Sequence, residues 1–467
     1  MPKPPNPVGV LSELWTAAGL DAAALARIDL TGSEPALPSS FAVGTAAQTS
    51  IAAAALAATE IGRLRNGVAR RVAVDMRAAV LECTGYFSID GREPDKWDKL
   101  SGLYRCRDGW VRIHANFAHH RDGALRLLGL APGPDTERGA VEAALLNWHA
   151  LAFEDAAAEA GLVVAAARGF EQWDAHPQGM ALAQQPLLVW EKIGAAAPQP
   201  LPLLAPDARP LAGMRVLDLT RILAGPVGGR TLAAHGADVM LVNSPNLPNI
   251  ESIIETSRGK LSTHLDLTSE AGRASLRSLL SEAHVMVQGY RPGGLAARGF
   301  GPEDAARIRP GIVYLSLSAY GHAGPWAGRR GFDSLVQTAT GFNQAEMLAA
   351  GEHKPKPMPV QILDYASGFL LAFAAQAALL RQAREGGSWH VRVSLARTGL
   401  WLRSLGRIEQ GLAQAMPVVD AALETTASGW GELRAVRHAA SLSGLAGAWQ
   451  RPSVRPGTDA PRWTPQA

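Results

Sequence analysis

Between Met214 and Leu317 the chain repeats one unit: a short aliphatic or β-branched run, a turn, then an amphipathic stretch. That is how the βα units of a parallel sheet read. The predicted strands are Met214 to Leu219, Asp238 to Val242, His284 to Gln288 and Ile312 to Leu317. After the first strand comes the small-residue loop Arg221-Ile222-Leu223-Ala224-Gly225-Pro226-Val227-Gly228-Gly229-Arg230, with Pro226 placed to begin a helix running to about His235. A helix start behind a strand presents unpaired N–H groups and the positive end of a dipole, a seat for the phosphates of a nucleotide-bearing ligand. The dinucleotide fingerprint is missing. Gly225 and Gly228 do not give G-x-G-x-x-G, and the second strand ends in Asn243 and Ser244 where a ribose-binding acid would stand. Nicotinamide and flavin chemistry is therefore disfavoured.

Downstream, Leu363-Asp364-Tyr365-Ala366-Ser367-Gly368 puts a carboxylate at the mouth of a long apolar helix expected from about Tyr365 to Ala383. Asp is a favoured helix N-cap, which is the plain structural role for Asp364. A helix N-terminus also lowers a carboxylate's pKa and keeps it ionised. Between the strands and this helix lie Ser257-Arg258-Gly259-Lys260 before Leu265-Asp266-Leu267, then Gly289-Tyr290-Arg291-Pro292-Gly293. Next come Leu317-Ser318-Ala319-Tyr320-Gly321-His322-Ala323-Gly324-Pro325-Trp326 and Arg330-Gly331-Phe332-Asp333. Taken with Leu223-Ala224-Gly225-Pro226, Gly236-Ala237-Asp238-Val239 and the Asp364 segment, these resemble the class III CoA-transferases in order and spacing. The resemblance runs from Gly213 to Leu405.

That resemblance implies a Rossmann-like parallel sheet with helices on both faces, a smaller α+β domain, coenzyme A as substrate with no permanently bound cofactor, and an interlocked homodimer. In the family the aspartate at the Asp364 position is the nucleophile. A carboxylate can exchange with a thioester through an anhydride, so the thioester energy is retained. The implied activity is transfer of CoA from an acyl-CoA to a carboxylic acid through an aspartyl anhydride and an aspartyl-CoA thioester. By the same resemblance Leu223, Ala224, Gly225, Pro226, Lys260, Tyr290, Arg291 and Arg330 fall where CoA is held, a cation at phosphate making a charge-assisted hydrogen bond. The cations read equally as solvated surface charge. Asn243 stands where the family commonly has Glu, and Gly289 where it has Asn. A racemase branch of the family uses a histidine directly before the aspartate of the Arg330 to Asp333 segment. Here that place is Phe332, so an acid–base pair for α-proton exchange is incomplete. His322 sits in a glycine-rich loop and reads as structural or binding. The alternatives to transfer are a non-catalytic CoA-binding or scaffolding protein, the racemase, or intramolecular CoA transfer.

Thr45 to Met76 can be laid on Asp364 to Leu395 without a gap, aligning Arg65 with Arg384, Gly67 with Gly386, Val72 with Val391 and Val74 with Val393. Thr45 then takes the place of Asp364 and cannot form an anhydride. Chance similarity of two alanine-rich helices is the competing explanation. Tyr104 to Ile113 alternates about an Asp-Gly turn, as a hairpin does, and precedes a helix ending near Gly129. This stretch resembles the start of the family's smaller domain, and Trp173 to Gln178 resembles its closing segment. The order of parts is rearranged: a degenerate partial copy in residues 1–84, a small α+β domain in 85–193, a Pro/Ala-rich linker in 194–211, and a Rossmann-like domain with a C-terminal tail in 212–467. Residues from Pro456 onward look poorly ordered.

At 467 residues, 47% hydrophobic and 19% charged, the chain can bury two or three cores. A formal net charge of +3 without basic runs argues against nucleic acid. The Pro-rich lead Met1 to Pro7 has no apolar core, so secretion is not indicated. The apolar stretches Ile51 to Ala58 and Gly368 to Leu380 are too short to cross a bilayer. A cytoplasmic protein without membrane association is expected. Cys83 and Cys106 lack metal or disulfide spacing, so no metal site is expected. His119 and His120 read as surface histidines.

Overall fold

In the computed structural model, which describes residues 5–464, the βα repeat closes into a seven-stranded sheet. Its strand order is Lys260–His264, Asp238–Asn243, Arg215–Leu219, Val285–Gln288, Val313–Ser318, Ser388–Ser394, Val189–Gly194. Neighbours are parallel except the last pair, which is antiparallel. Each of the four predicted strands is present within a residue of its expected bounds. Alternate residues feed two cores: Val216, Val239, Val285 and Val313 on one face, Leu217, Met240, Met286 and Tyr314 on the other. Burial on both faces is what β-branched, nearly continuous apolar strands require. Strand order reverses between Arg215–Leu219 and Val285–Gln288. At such a switch point the carboxyl ends of the strands open a ligand crevice.

The internal repeat holds in register. Helices Val43–Asn66 and Ile362–Glu385 are both 24 residues long and begin and end at matching positions. Gly67 and Gly386, which follow them, both have positive φ, a conformation glycine adopts without cost. The following strands lead into helices capped alike, Asp75 accepting from Ala78 N and Ser394 from Arg397 N. The sheet context repeats too. Val72–Asp75 lies between a parallel strand, Ile28–Thr31, and an antiparallel one, Ala440–Leu442, as Ser388–Ser394 does in the large sheet. Matching caps, turns and strand neighbours rule against chance likeness of two alanine-rich helices.

The two long helices pack on each other and are buried almost throughout. Alanine-rich faces permit this close approach. Helix Ala224–Ala234 covers another side of Ile362–Glu385, nearer still: a Cβ on Gly368 would stand 2.5 Å from Ala224 O, and one on Gly228 3.0 Å from Gly368 O. Ile362–Glu385 is also long and apolar enough to cross a membrane, more than the run Gly368 to Leu380 suggested, because the helix extends beyond that run at both ends. All of its most apolar window is buried in the protein.

The small domain contains the expected hairpin, Gly102–Arg105 with Trp110–Ile113, extended by Val164–Ala166 and packed by Ala118–Leu127 and Ala150–Glu159 around Tyr104, Val111, Leu125 and Phe153. One boundary, the linker and the tail differ from expectation. The end of the small domain at 193 falls inside the edge strand Val189–Gly194 of the large sheet. The linker is a strap rather than a free tether: Arg65 donates to Pro202 O and Pro210 O at 2.7 and 2.9 Å, and Gln382 to Ala197 O at 3.0 Å. Its prolines supply carbonyls that no secondary structure claims. The tail is docked as far as it is described. Trp463 is buried, with its indole N–H on Leu279 O at 3.0 Å, and Asp459 N donates to Ser262 O at 2.7 Å.

Gly368→Val is expected to lower stability by about 1–3 kcal/mol or more, since the added carbons meet backbone that cannot rotate away. Gly139→Ala is the control, being helical with nothing within 4 Å of the new Cβ, and should be neutral or slightly stabilising. Urea unfolding midpoints of the two variants check both.

Candidate active site

Along the carboxyl ends of the large sheet run three cavities, of about 310, 350 and 380 Å³. Leu219, Leu247, Tyr290 and Arg291 line both the first and the second; Ile222 and Phe332 line both the second and the third. The three therefore form one track from the switch point to Asp364, which lines the last.

Asp364 is the third residue of its helix, not the cap. Its N–H donates to Asp333 Oδ2 at 2.9 Å, and Gln337 Nε2 donates to Asp333 Oδ1 at 2.5 Å. Burial and the neighbouring Asp333 carboxylate push the pKa of Asp364 well above the carboxylate range; burial pushes Asp333 up to about 7. The N-terminal field expected to keep Asp364 ionised is thus outweighed by desolvation and a like charge. The first-turn N–H groups and Gln337 serve Asp333, so of the two carboxyls Asp333 is the one hydrogen bonded to hold a charge. The repeat preserves the device without the chemistry: Glu34 accepts from Thr45 N at 2.7 Å, and a Cβ on Gly44 would meet Met76, Ala36 and Glu34 within 3.0 Å, so that end is closed.

The loop after strand Arg215–Leu219 joins the second and third cavities through Ile222, a β-branched residue held at φ 77°. Such a conformation is an outlier that only its surroundings maintain. Those surroundings are a buried ion pair: Lys260 Nζ binds Asp218 Oδ2 at 2.7 Å and Pro226 O at 2.8 Å, while Thr220 N donates to Asp218 Oδ1 at 3.1 Å. Gly229 leaves room for it, since a Cβ there would stand 2.2 Å from Asp218 Oδ2. Lys260 is therefore not a phosphate ligand but an internal brace, 1% exposed. Leu223 lines the Asp364 cavity; Ala224, Gly225 and Pro226 line none of the three and instead form the buried start of helix Ala224–Ala234, which begins two residues before Pro226.

Tyr290, Arg291 and Arg330 do line the track, joined by Arg221 and Arg329. Burial and the charge of Arg291 lower the pKa of Arg330, so two guanidinium groups face one space with mutual repulsion, as an anion site requires. Arg330 Nη1 lies 3.2 Å from His120 Nε2. His120 is buried, which corrects its surface reading, while His119 is exposed as expected; both line this cavity. They come from the small domain, whose approach sequence spacing could not indicate. One more residue escaped sequence reasoning. His114 stacks on Phe332 with centroids 4.0 Å apart and lines the Asp364 cavity; burial lowers its pKa to about 3. Asn243 lines the first cavity with its buried Oδ1 unpartnered.

Residues 211–427 match the family model described as CoA-transferase family III. An acyl-CoA transferase of Gibberella moniliformis is 31% identical over 317 residues, 64% of this chain and 55% of that protein. A probable fatty acyl-CoA transferase of Mycobacterium tuberculosis is 35% identical over 211 residues, 42% of this chain and 53% of its own length. The crystal structure of Rv3272 from M. tuberculosis is similar at 34% identity, covering 42% of this chain and 59% of that one, with a TM-score of 0.39. The chain spans about half the length of the curated relatives it matches.

Lys260→Met is expected to cost about 3–5 kcal/mol by stranding the buried Asp218, and Asp218→Leu added to it should recover much of the loss. Denaturant melts of the single and double variants measure this. Asp364→Asn should raise the melting temperature by a few degrees at pH 8, with the gain shrinking toward pH 5. The sign follows from the raised pKa values: above the ordinary carboxylate range the unfolded chain releases protons the folded pair retains, so stability falls as pH rises. An amide at 364 removes that loss, and thermal melts across pH 5–8 read it.

Proposed function

Since residues 211–427 match the model of CoA-transferase family III, we propose that this chain moves CoA from an acyl-CoA thioester to a carboxylic acid, with Asp364 as the nucleophile. The observation that carries the reading is the single track that ends on the Asp364 carboxylate after passing the arginine-lined cavity. CoA lies along it. The nucleoside occupies the apolar first cavity, where Asn243 Oδ1 accepts from it. The phosphates sit among Arg221, Arg291 and Arg330, and the pantetheine arm passes Ile222 and Phe332.

Asp364 acts once it gives up its proton. Its carboxylate oxygen attacks the thioester carbonyl, the C–S bond breaks, and the CoA thiolate leaves an acyl-aspartyl anhydride. The thiolate then attacks the aspartyl carbonyl, expelling the first carboxylic acid as carboxylate and leaving an aspartyl-CoA thioester. The acceptor carboxylate reverses both steps and restores Asp364. Throughout, Asp333 holds the helix start by its first-turn N–H groups, which keeps the reacting carboxylate aimed into the cavity. CoA is a substrate in this scheme, and no resident cofactor takes part. The walls of the Asp364 cavity include Cys83 to Phe87, at the junction of the degenerate copy and the small domain. Racemisation is disfavoured because Phe332 occupies the imidazole's place and His114, stacked on it, is kept neutral.

Incubation with a panel of acyl-CoA thioesters, followed by hydroxylamine and peptide mass spectrometry, should place a hydroxamate at Asp364, absent from Asp364→Ala. No adduct with any donor, in a protein whose melting temperature CoA raises, would make this a CoA-binding homologue instead.

A further inference from the structure

We infer that the cavity formed where the C-terminal tail folds back on the chain binds a phosphate-type oxyanion, at a site separate from the track to Asp364. This cavity, of about 180 Å³, shares no lining residue with the three on the track. Its polar walls come from segments remote in sequence: Arg209 from the proline-rich strap, His235 from the end of helix Ala224–Ala234, and Arg437 and His438 from the tail, with Glu424 beside them. The charges there do not balance. Arg209 is 8% exposed, and its guanidinium donates to carbonyls: Ala234 O at 2.8 Å, Ala446 O at 2.7 Å, and Gly447 O. Arg437, at the exposed mouth, donates to Ala421 O at 2.5 Å. Among the described residues neither arginine pairs with a carboxylate. Glu424, the carboxylate on the described walls, is taken by Arg258 at 3.1 Å. Burial of a guanidinium without a counter-ion is costly, so the fold leaves a place for one from solution.

The imidazoles carry the same message. Nε2 of His235 and Nε2 of His438 are buried with no hydrogen-bond partner among the described residues, and the two rings lie 5.5 Å apart. Burial, then His438 and Arg209, lower the pKa of His235, which marks positive surroundings. An oxyanion answers both features. Its oxygens accept from guanidinium and imidazole N–H groups, and its charge offsets Arg209 and Arg437. Donors arriving from strap, helix end and tail suit a tetrahedral anion, with oxygens on every side, better than a carboxylate whose two oxygens share one plane. Bound there, the anion fastens the tail to the strap and the helix end, so tail docking follows its concentration. Occupancy also bears on the Asp364 cavity. Arg258 bridges Glu424 of the one cavity and Glu255 of the other, and His438 Nδ1 lies 3.1 Å from Glu82, whose neighbour Cys83 lines the Asp364 cavity.

Thermal melts of the full chain in phosphate, sulfate, acetate and chloride at equal ionic strength test this. Phosphate at about 10 mM should raise the melting temperature by about 2–5 °C over chloride and acetate, and sulfate should match it. Glycerol phosphate alongside shows the source: a shift equal to or larger than that of phosphate assigns a phosphate ester, and a smaller one assigns the free ion. In calorimetric titration Arg437→Gln should weaken phosphate binding at least about tenfold, and Arg437→Lys should keep part of it. Both variants should melt like the wild type in chloride, because Arg437 lies at the mouth. Arg291→Gln, on the track, is the control and should bind phosphate as the wild type does. Amide exchange over residues 437–448 should slow in phosphate. No gain over chloride, an acetate shift equal to that of phosphate, or a gain that Arg291→Gln removes and Arg437→Gln keeps overturns the assignment.

Discussion

Everything around Asp364 depends on how closely helix Ile362–Glu385 is approached by its neighbours. Helix Ala224–Ala234 touches it through Gly228 and Gly368, and helix Val43–Asn66 lies along it through alanine. Neither contact tolerates a larger side chain, so the start of the helix has one position relative to the loop Thr220 to Leu223. That loop is fixed in turn by the buried Asp218–Lys260 pair. A side chain on so rigid an element is placed more narrowly than one on a loop. The cost is a carboxylate drawn into the core beside Asp333, and the raised pKa values of both acids are the trace of it.

The degenerate copy gives this arrangement its meaning. Helix Val43–Asn66 covers the long helix, and Cys83 to Phe87, just beyond the copy's last helix, wall the Asp364 cavity. The C-terminal strands close the design by returning to the first copy, Ala440–Leu442 on Val72–Asp75 and Gly431–Val436 on Phe87–Ile89. Buried Arg230 joins the parts, paired with Glu82 of the copy at 2.8 Å and with Glu255 of the large domain. His438 of the tail meets the same Glu82 at 3.1 Å. Removing one member of such a buried network strands the others, which ties the rearranged segments into one unit although they are far apart in sequence.

Much of the fold was legible because its signals are local. Four strands of the parallel sheet, the two long helices, the small-domain hairpin and the repeat register all follow from apolar periodicity, glycine turns and spacing. The linker and tail were misjudged because proline and polar composition describe a segment's own preferences and not the partners that claim its carbonyls. Lys260 was misread for a related reason. A lysine after a glycine has the same local signature whether its ammonium meets solvent, a phosphate or a buried aspartate forty residues away in sequence.

By itself the sequence determined the class of fold and the family likeness and singled out Asp364 as the candidate residue, since these rest on residue order and on which side chains are present. Tertiary structure alone decided the raised pKa of Asp364, the approach of His114, His119 and His120 from the small domain, and the conversion of Lys260 from a candidate ligand to a brace. Each of these depends on desolvation and on distances between segments remote in the chain. Both quantities arise only when the chain is folded, because burial removes the water that would screen one charge from another.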